Sequence, residues 1–198
     1  IDANYFQHQP FLDNALKETN FKLKALGIGS GTHVGLYSKK YKSIDDVADG
    51  ARVVIPNDPV NQGRALLLLQ QSKLITLKDA NNHLSNLQDI ASNPKNLKFI
   101  EVEGPQTARA VDEADLVFSY PMYLRLAKTI DPNAALVLDQ INNTRYAILF
   151  VVRDDYEQTH PEKAENLKKF IQIYQNSEKV KQELNADIGE RLWFKGWK

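Results

Sequence analysis

The sequence predicts an α/β protein. Three observations carry that reading. Stretches with strand character and stretches with helix character alternate nearly throughout the chain. The short run ARVVIP, residues 51–56, is β-branched and apolar without alternation, as a strand buried on both faces in a parallel sheet would be. No internal repeat, low-complexity tract or long linker interrupts the succession. Together these imply mostly parallel sheets with helices packed against them.

Taken in order, QPFLDNALKETN (9–20) places Phe11, Leu12, Ala15 and Leu16 on one helical face. Residues 21–26 alternate apolar and polar as a half-buried strand, and the glycine-rich GIGSGTH (27–33) is expected to be a loop. VGLYSKK (34–40) reads as a strand, and 43–50 as a short helix with Ser43 as N-cap and Gly50 as its stop. After 51–56, a polar turn leads into a helix from 60 to about 74, with Gly63-Arg64 near its opening. A helix is expected at about 83–91, a strand at 97–104, a short helix at QTARAVDEA and a strand at 115–120. Pro121 suits the first turn of a further helix. ALVLDQI is expected to be an edge strand, and RYAILFVVR (145–153) is the most apolar strand of the chain. A long amphipathic helical region from Pro161 to about Leu184, broken near Asn176-Ser177, precedes the closing RLWFKGWK.

Lys+Arg and Asp+Glu both number 25 in 198 residues, so the formal net charge is zero. No global basic field exists to attract nucleic acid, which is not an expected partner. There is no cysteine, which removes disulfides, thiol catalysis and Cys-type zinc sites. The four His, at 8, 33, 83 and 160, show no HxxxH or HExxH spacing, so no metal is expected. GxSxG and Walker-type motifs are absent, and glycines at 27, 29 and 31 lack the dinucleotide spacing. No cofactor and no catalytic residue is expected, and the chain reads as a binding protein rather than an enzyme. It opens on the aromatic-rich IDANYFQHQPFLD without an initiator Met, which reads as a fragment or processed form.

Two clusters attract attention as binding residues. A permanent positive charge at the start of a helix is out of place, because the macrodipole is already positive there. Arg64 therefore reads either as half of an anion site, forking onto a carboxylate, or as a structural Arg paired with Asp58 or a neighbouring acid. Tyr5, Phe6, His8 and Phe11 cluster around Pro10. They could line an apolar pocket with one polar group, or form a core staple with His8 satisfied by backbone. In parallel sheets ligands bind beyond the carboxyl ends of strands, so GSGTH, NDPVNQGR and SYPMY could converge on one cleft.

The segments DANYFQHQPFLD, GLYSKKYKSIDDV, VVIPNDPVNQGRALLLLQQSKLITLKD and NPKNLKFIEVEGPQTARAVDEADL, in that order, resemble the methionine-binding lipoproteins of bacterial ABC importers, the NlpA-type family. The resemblance runs from Asp2 to about Asp155. It implies a two-lobed type II periplasmic-binding-protein fold, with lobe one formed by 1–36 and 149–198, its N-terminal part missing, and lobe two by 37–148. GLYSKK and AILFVVR would be the crossings. It also implies a periplasmic or cell-surface location, a lipid anchor on a Cys upstream of Ile1, a small-molecule ligand held between the lobes, and an ABC permease as partner. Carried over residue by residue, Phe6 and His8 match aromatic and His positions of the family pocket, and Arg64 matches the Arg that grips the amino-acid carboxylate. Phe11 stands where methionine binders often carry Tyr. Ser119, followed by Tyr120, and Ile148 stand where they carry Asn. Phe6, His8, Phe11, Arg64, Ser119 and Tyr120 are thus the candidate ligand contacts.

The two departures leave the ligand open among methionine, another amino acid and a short peptide. Other classes stay in view. An effector domain of a transcription regulator would require a DNA-binding segment upstream, a surface lipoprotein without a transport ligand would bind no small molecule, and an enzyme using His8 as base would lose turnover on its substitution.

Overall fold

A computed structural model describes residues 1–139 and 144–198. Its elements in chain order are β1 (Asn4–His8), α1 (Gln9–Glu18), β2 (Leu23–Thr32), β3 (Gly35–Tyr37), β4 (Arg52–Pro56), α2 (Pro59–Gln71), β5 (Thr76–Leu77) and β6 (Ile90–Ser92). There follow β7 (Lys98–Val102), α3 (Gly104–Thr107), β8 (Leu116–Ser119), α4 (Pro121–Ala127), β9 (Val137–Leu138), β10 (Ala147–Arg153), α5 (Tyr156–Thr159), α6 (Pro161–Asn176), α7 (Glu178–Asp187) and β11 (Trp193–Lys195). They gather into two compact units, Ile1–Thr32 with Ile141–Lys198, and His33–Gln140. The divisions fall at 32/33 and 140/141 rather than at 36/37 and 148/149. Consequently β3 lies wholly in the second unit and β10 wholly in the first.

The first unit is built on a four-stranded sheet of order β1-β10-β2-β11 in which every pairing is antiparallel. The expectation of mostly parallel sheets fails here. Alternation along a sequence does not say which strands become neighbours, and β10 enters between β1 and β2 from the far side of the second unit's sequence. Leu12 of α1 packs with Leu149 and Val151 on one face. Val152 meets Tyr156 and Ala164. Ser177 separates α6 from α7 and caps the latter, accepting a hydrogen bond from the Val180 N–H, where the sequence placed the break.

GIGSGTH is not a loop, because β2 runs unbroken through Thr32. Gly27, Gly29 and Gly31 recur with the two-residue period of a strand. A Cβ at each would collide with Ile171, with the Tyr5 hydroxyl and with the Phe194 ring respectively. The glycines leave bare backbone on which side chains from other elements lie.

The second unit has a five-stranded mixed sheet of order β7-β4-β8-β3-β9. β4 pairs in parallel with β7 and β8, and β3 pairs antiparallel with β8 and with the edge strand β9. Helix α2 buries nine of its thirteen residues, Val60 and Gln62 through Leu69. Leu66, Leu68 and Leu69 join Val53, Ile55 and Phe118 in the main core. At about 1.5–3 kcal/mol for each large apolar side chain buried, this helix is a principal source of the unit's stability.

The helix expected at 83–91 is instead a run of turns, with a 3₁₀ turn at Leu87–Asp89 and β6 pairing with β5. Asp79, Asn82 and Asn86 accept bonds from backbone N–H groups two residues on, and Asp89 reaches back to that of Asn86. Such local bonds compete with a helix ladder. The helix expected at 43–50 likewise shrinks to a 3₁₀ turn, Ile44–Asp46, closed by a Ser43/Asp46 capping box, and Gly50 turns the chain at φ +73°.

Candidate functional site

In the second unit, β4 and β8 are parallel neighbours, so the segments following them emerge at one end of the sheet. The first delivers Asp58, Asn61 and Arg64, and the second delivers Ser119 and Tyr120. These stretches do converge: the Tyr120 hydroxyl donates to Asn61 Oδ1, while the Asn61 backbone and side-chain amides donate to the two carboxylate oxygens of Asp58. GSGTH, the third stretch expected there, belongs to β2 of the first unit up to Thr32.

Arg64 is not at the helix opening. Asp58 is the N-cap and Pro59 the first helical residue, so Arg64 is the sixth, beyond the four N–H groups that lack helical partners. Of the alternatives, Arg64 does pair with an acid, but that acid is Asp139 and not Asp58, whose carboxylate takes the two Asn61 amides. Arg64 turns inward instead and is only 3% exposed. Its Nε and Nη2 donate to Asp139 Oδ2, at 3.0 and 2.6 Å. Asp139, 2% exposed, uses its other oxygen to accept the Val34 N–H at 3.0 Å and lies 3.2 Å from His33 Nδ1. An ionised carboxylate only accepts, so that nitrogen carries the proton in this contact.

The Arg64 guanidinium carbon sits 6.0 Å from the centre of the Tyr120 ring, at the outer reach of a cation–π contact. Tyr120 meets Phe118 and Tyr123 edge-on. Burial pushes its phenol well above the usual range, so it stays a neutral donor. Ser119 is fully buried, with Oγ 2.9 Å from Thr107 Oγ1. The second unit thus brings together a buried cation, its carboxylate and an aromatic wall. That arrangement can hold an anion beside an apolar group.

In the first unit, His8 caps α1, its Nδ1 accepting the Phe11 N–H at 3.3 Å, and its ring stands edge-on to Tyr146 at 5.2 Å. His8 is 6% exposed. Phe6 does not pack under the sheet as a core staple would. It is 64% exposed and touches the half-buried Phe11 edge-on. Ile148 pairs in register with His8 across β1 and β10. Phe6, His8 and Phe11 therefore form one cluster in the first unit, and Arg64 and Tyr120 another in the second, with Ser119 beside the latter. Sequence reasoning missed Asp139, Asn61 and Tyr146. For Asp139 a signal existed, a lone acid closing the apolar run ALVL.

Among the described residues no group of His, Cys, Asp or Glu is placed to hold a metal ion, and no helix is long and apolar enough to cross a membrane.

The mixed α/β fold is one that solved substrate-binding proteins of transporters share. In comparison with solved structures, the chain superposes over its whole length on the substrate-binding protein of a methionine transporter from Streptococcus pneumoniae. The TM-score is 0.90 at 31% identity, covering 76% of that chain. A nutrient-binding protein from Burkholderia cenocepacia bound to methionine matches 97% of this chain and 78% of its own, at TM-score 0.86 and 34% identity. The D-methionine-binding lipoprotein MetQ of Escherichia coli O157:H7 is 43% identical over 181 residues, 90% of this chain and 64% of that protein. The chain thus spans just under two thirds of the length of that relative. The sequence profile of the NlpA lipoproteins matches residues 1–193, and the protein belongs to that family.

Proposed function

We propose that this protein is the solute-binding component of an ABC importer, taking methionine or a related amino acid and passing it to a membrane permease. It performs no chemistry on the ligand. Its place is outside the cytoplasmic membrane, held there by a lipid anchor. Family membership and relatives named for methionine binding support this reading. The observation that carries it is Arg64, a permanently charged, planar donor kept in a nearly dry setting beside Tyr120. We assign the ligand's carboxylate to Arg64. Phe6, Phe11 and Tyr120 supply aromatic contacts, Ser119 backs Tyr120, and His8 directs polar contacts.

A thermal-shift screen of the full-length protein against the standard amino acids, both methionine enantiomers and short dipeptides tests the assignment. A ligand held only by the folded state at a hundred times its Kd adds about 2.7 kcal/mol of stability. Methionine should raise the midpoint, and Arg64→Ala should abolish the rise. No rise with any amino acid sinks the reading. A second ligand class, another amino acid or a short peptide, is favoured by one feature. The Ser119 hydroxyl is engaged with Thr107 and Ile148 is apolar, so neither offers a side-chain amide. The dipeptides and remaining amino acids of the screen decide between the two.

A further inference from the structure

We infer that Asp139 is a positioning residue for ligand binding, fixing which edge of the Arg64 guanidinium is held and tying it to both ends of the second unit. The inference rests on the assignment of Arg64 to the ligand's carboxylate.

Asp139 lies 75 residues from Arg64 in sequence, yet two donors on one edge of the guanidinium, Nε and Nη2, converge on its Oδ2. An Arg side chain has many rotamers, and a contact through one donor would leave either edge of the guanidinium able to take up the carboxylate. Two donors of one edge meeting a single oxygen hold that edge on Asp139, so the remaining Nη1 side of the fork faces away from this carboxylate. The carboxylate is itself immobilised. Its second oxygen accepts the Val34 N–H and contacts His33. His33 is the first residue of the second unit, and Asp139 stands near its last. One buried carboxylate therefore joins both ends of the unit to the cation on α2.

The surroundings explain why the anion is needed. Arg64 is followed on α2 by Ala65 and four leucines, all buried. A guanidinium there without a counter-charge would bear the cost of desolvation alone and would turn toward any water it could reach. Asp139 offsets part of its charge and so gives up some attraction for an incoming anion. What it secures is an orientation already in place before the ligand arrives, which lowers the ordering cost of binding.

The test uses the full-length protein with Asp139→Asn, which keeps the shape and removes the charge, and Asp139→Glu as the conservative control. Methionine affinity is measured by calorimetry, and the ¹⁵N-coupled Nε–H signal of Arg64 is followed by NMR without ligand. Expected for Asp139→Asn is a loss of affinity of about 10–100-fold, by analogy with the partners that orient metal-binding side chains. The Nε–H signal should be lost to water exchange, and Asp139→Glu should restore part of both. Affinity within twofold of wild type, tighter binding, or an unchanged Nε–H signal overturns the inference. Tighter binding would make Asp139 a competitor for Arg64.

Should Asp139→Asn fail to fold, His33→Ala loosens only the second oxygen. It should weaken methionine binding about 2–10-fold, the scale of one hydrogen bond, and wild-type affinity there overturns the inference equally. Should the wild type bind no amino acid, the functional reading fails on its own. The NMR comparison then still decides, since a persisting signal overturns the positioning role and a lost one supports it for another anion.

Discussion

Helix α2 and strand β2 are each central to their unit, and each admits residues that a packed interior usually rejects. In α2 the foreign residue is a charge, Arg64, set in a helix with nine buried positions. In β2 it is the absence of side chains, with three glycines in alternate positions along ten residues. The helix resolves its anomaly electrostatically, through Asp139 arriving from the far end of the unit. The strand resolves its own sterically, with Tyr5, Ile171 and Phe194 lying over the bare backbone. In both cases a local oddity in the sequence is the imprint of a partner distant along the chain. The difference is what the partner supplies. A buried charge needs one particular group at hydrogen-bond distance, whereas a bare strand needs only volume.

That contrast sets how the two elements should respond to substitution. Arg64→Met removes the cation and strands Asp139 in a dry setting, which should cost about 3–5 kcal/mol of stability in chemical denaturation. The double variant Arg64→Met/Asp139→Leu should regain most of it, because an apolar pair of similar volume replaces the ion pair. A single variant costing under about 1 kcal/mol would mean that Asp139 finds water, and the electrostatic account of α2 would fail. Gly31→Ala should cost about 1–3 kcal/mol by overpacking against the Phe194 ring. Adding Phe194→Leu should return part of that loss, and additive losses would show that the strand does not need its glycine for this ring.

An ionic triad outside both interiors gives the smallest effect. Glu157 takes hydrogen bonds from Lys168 and Lys24, which hold its carboxyl at about 2, below its ordinary 4.5. A carboxyl depressed on folding contributes stability above its unfolded value and loses it as pH falls through the folded value. Thermal midpoints of wild type and Glu157→Gln should therefore differ slightly at pH 7 and converge between about pH 4.5 and 2. High salt should shrink the difference, since the groups are partly exposed. A gap that persists at pH 2 would mean that Glu157 acts by packing and not by charge.

The parts of the fold legible beforehand were those set by short-range pattern. The apolar run of β10, the leucine run of α2, Pro121 in the first turn of α4, and the break at Ser177 each follow from residues within a few positions. The errors have the opposite character. GIGSGTH carries every local mark of a loop and is a strand, because rings from elsewhere need the space. Residues 83–91 have enough apolar content for a helix, but their Asn and Asp side chains hold the backbone in turns. The candidate residues divide the same way. His8 was read with its backbone-satisfied alternative, and it does cap α1. Arg64 stands out as anomalous, while the acids its surroundings offer are Asp58 or a near neighbour and the one it meets lies 75 residues off.

By itself the sequence determined the α/β class, most element cores, the family, and the presence of an Arg that the local helix cannot satisfy. Periodicity, caps and motif spacing act over a few residues and are written directly in the chain. The tertiary structure decided which strands are neighbours, why alternate glycines sit in β2, and which acid faces Arg64. Those outcomes depend on contacts between distant segments, whose geometry exists only once the backbone has closed around them.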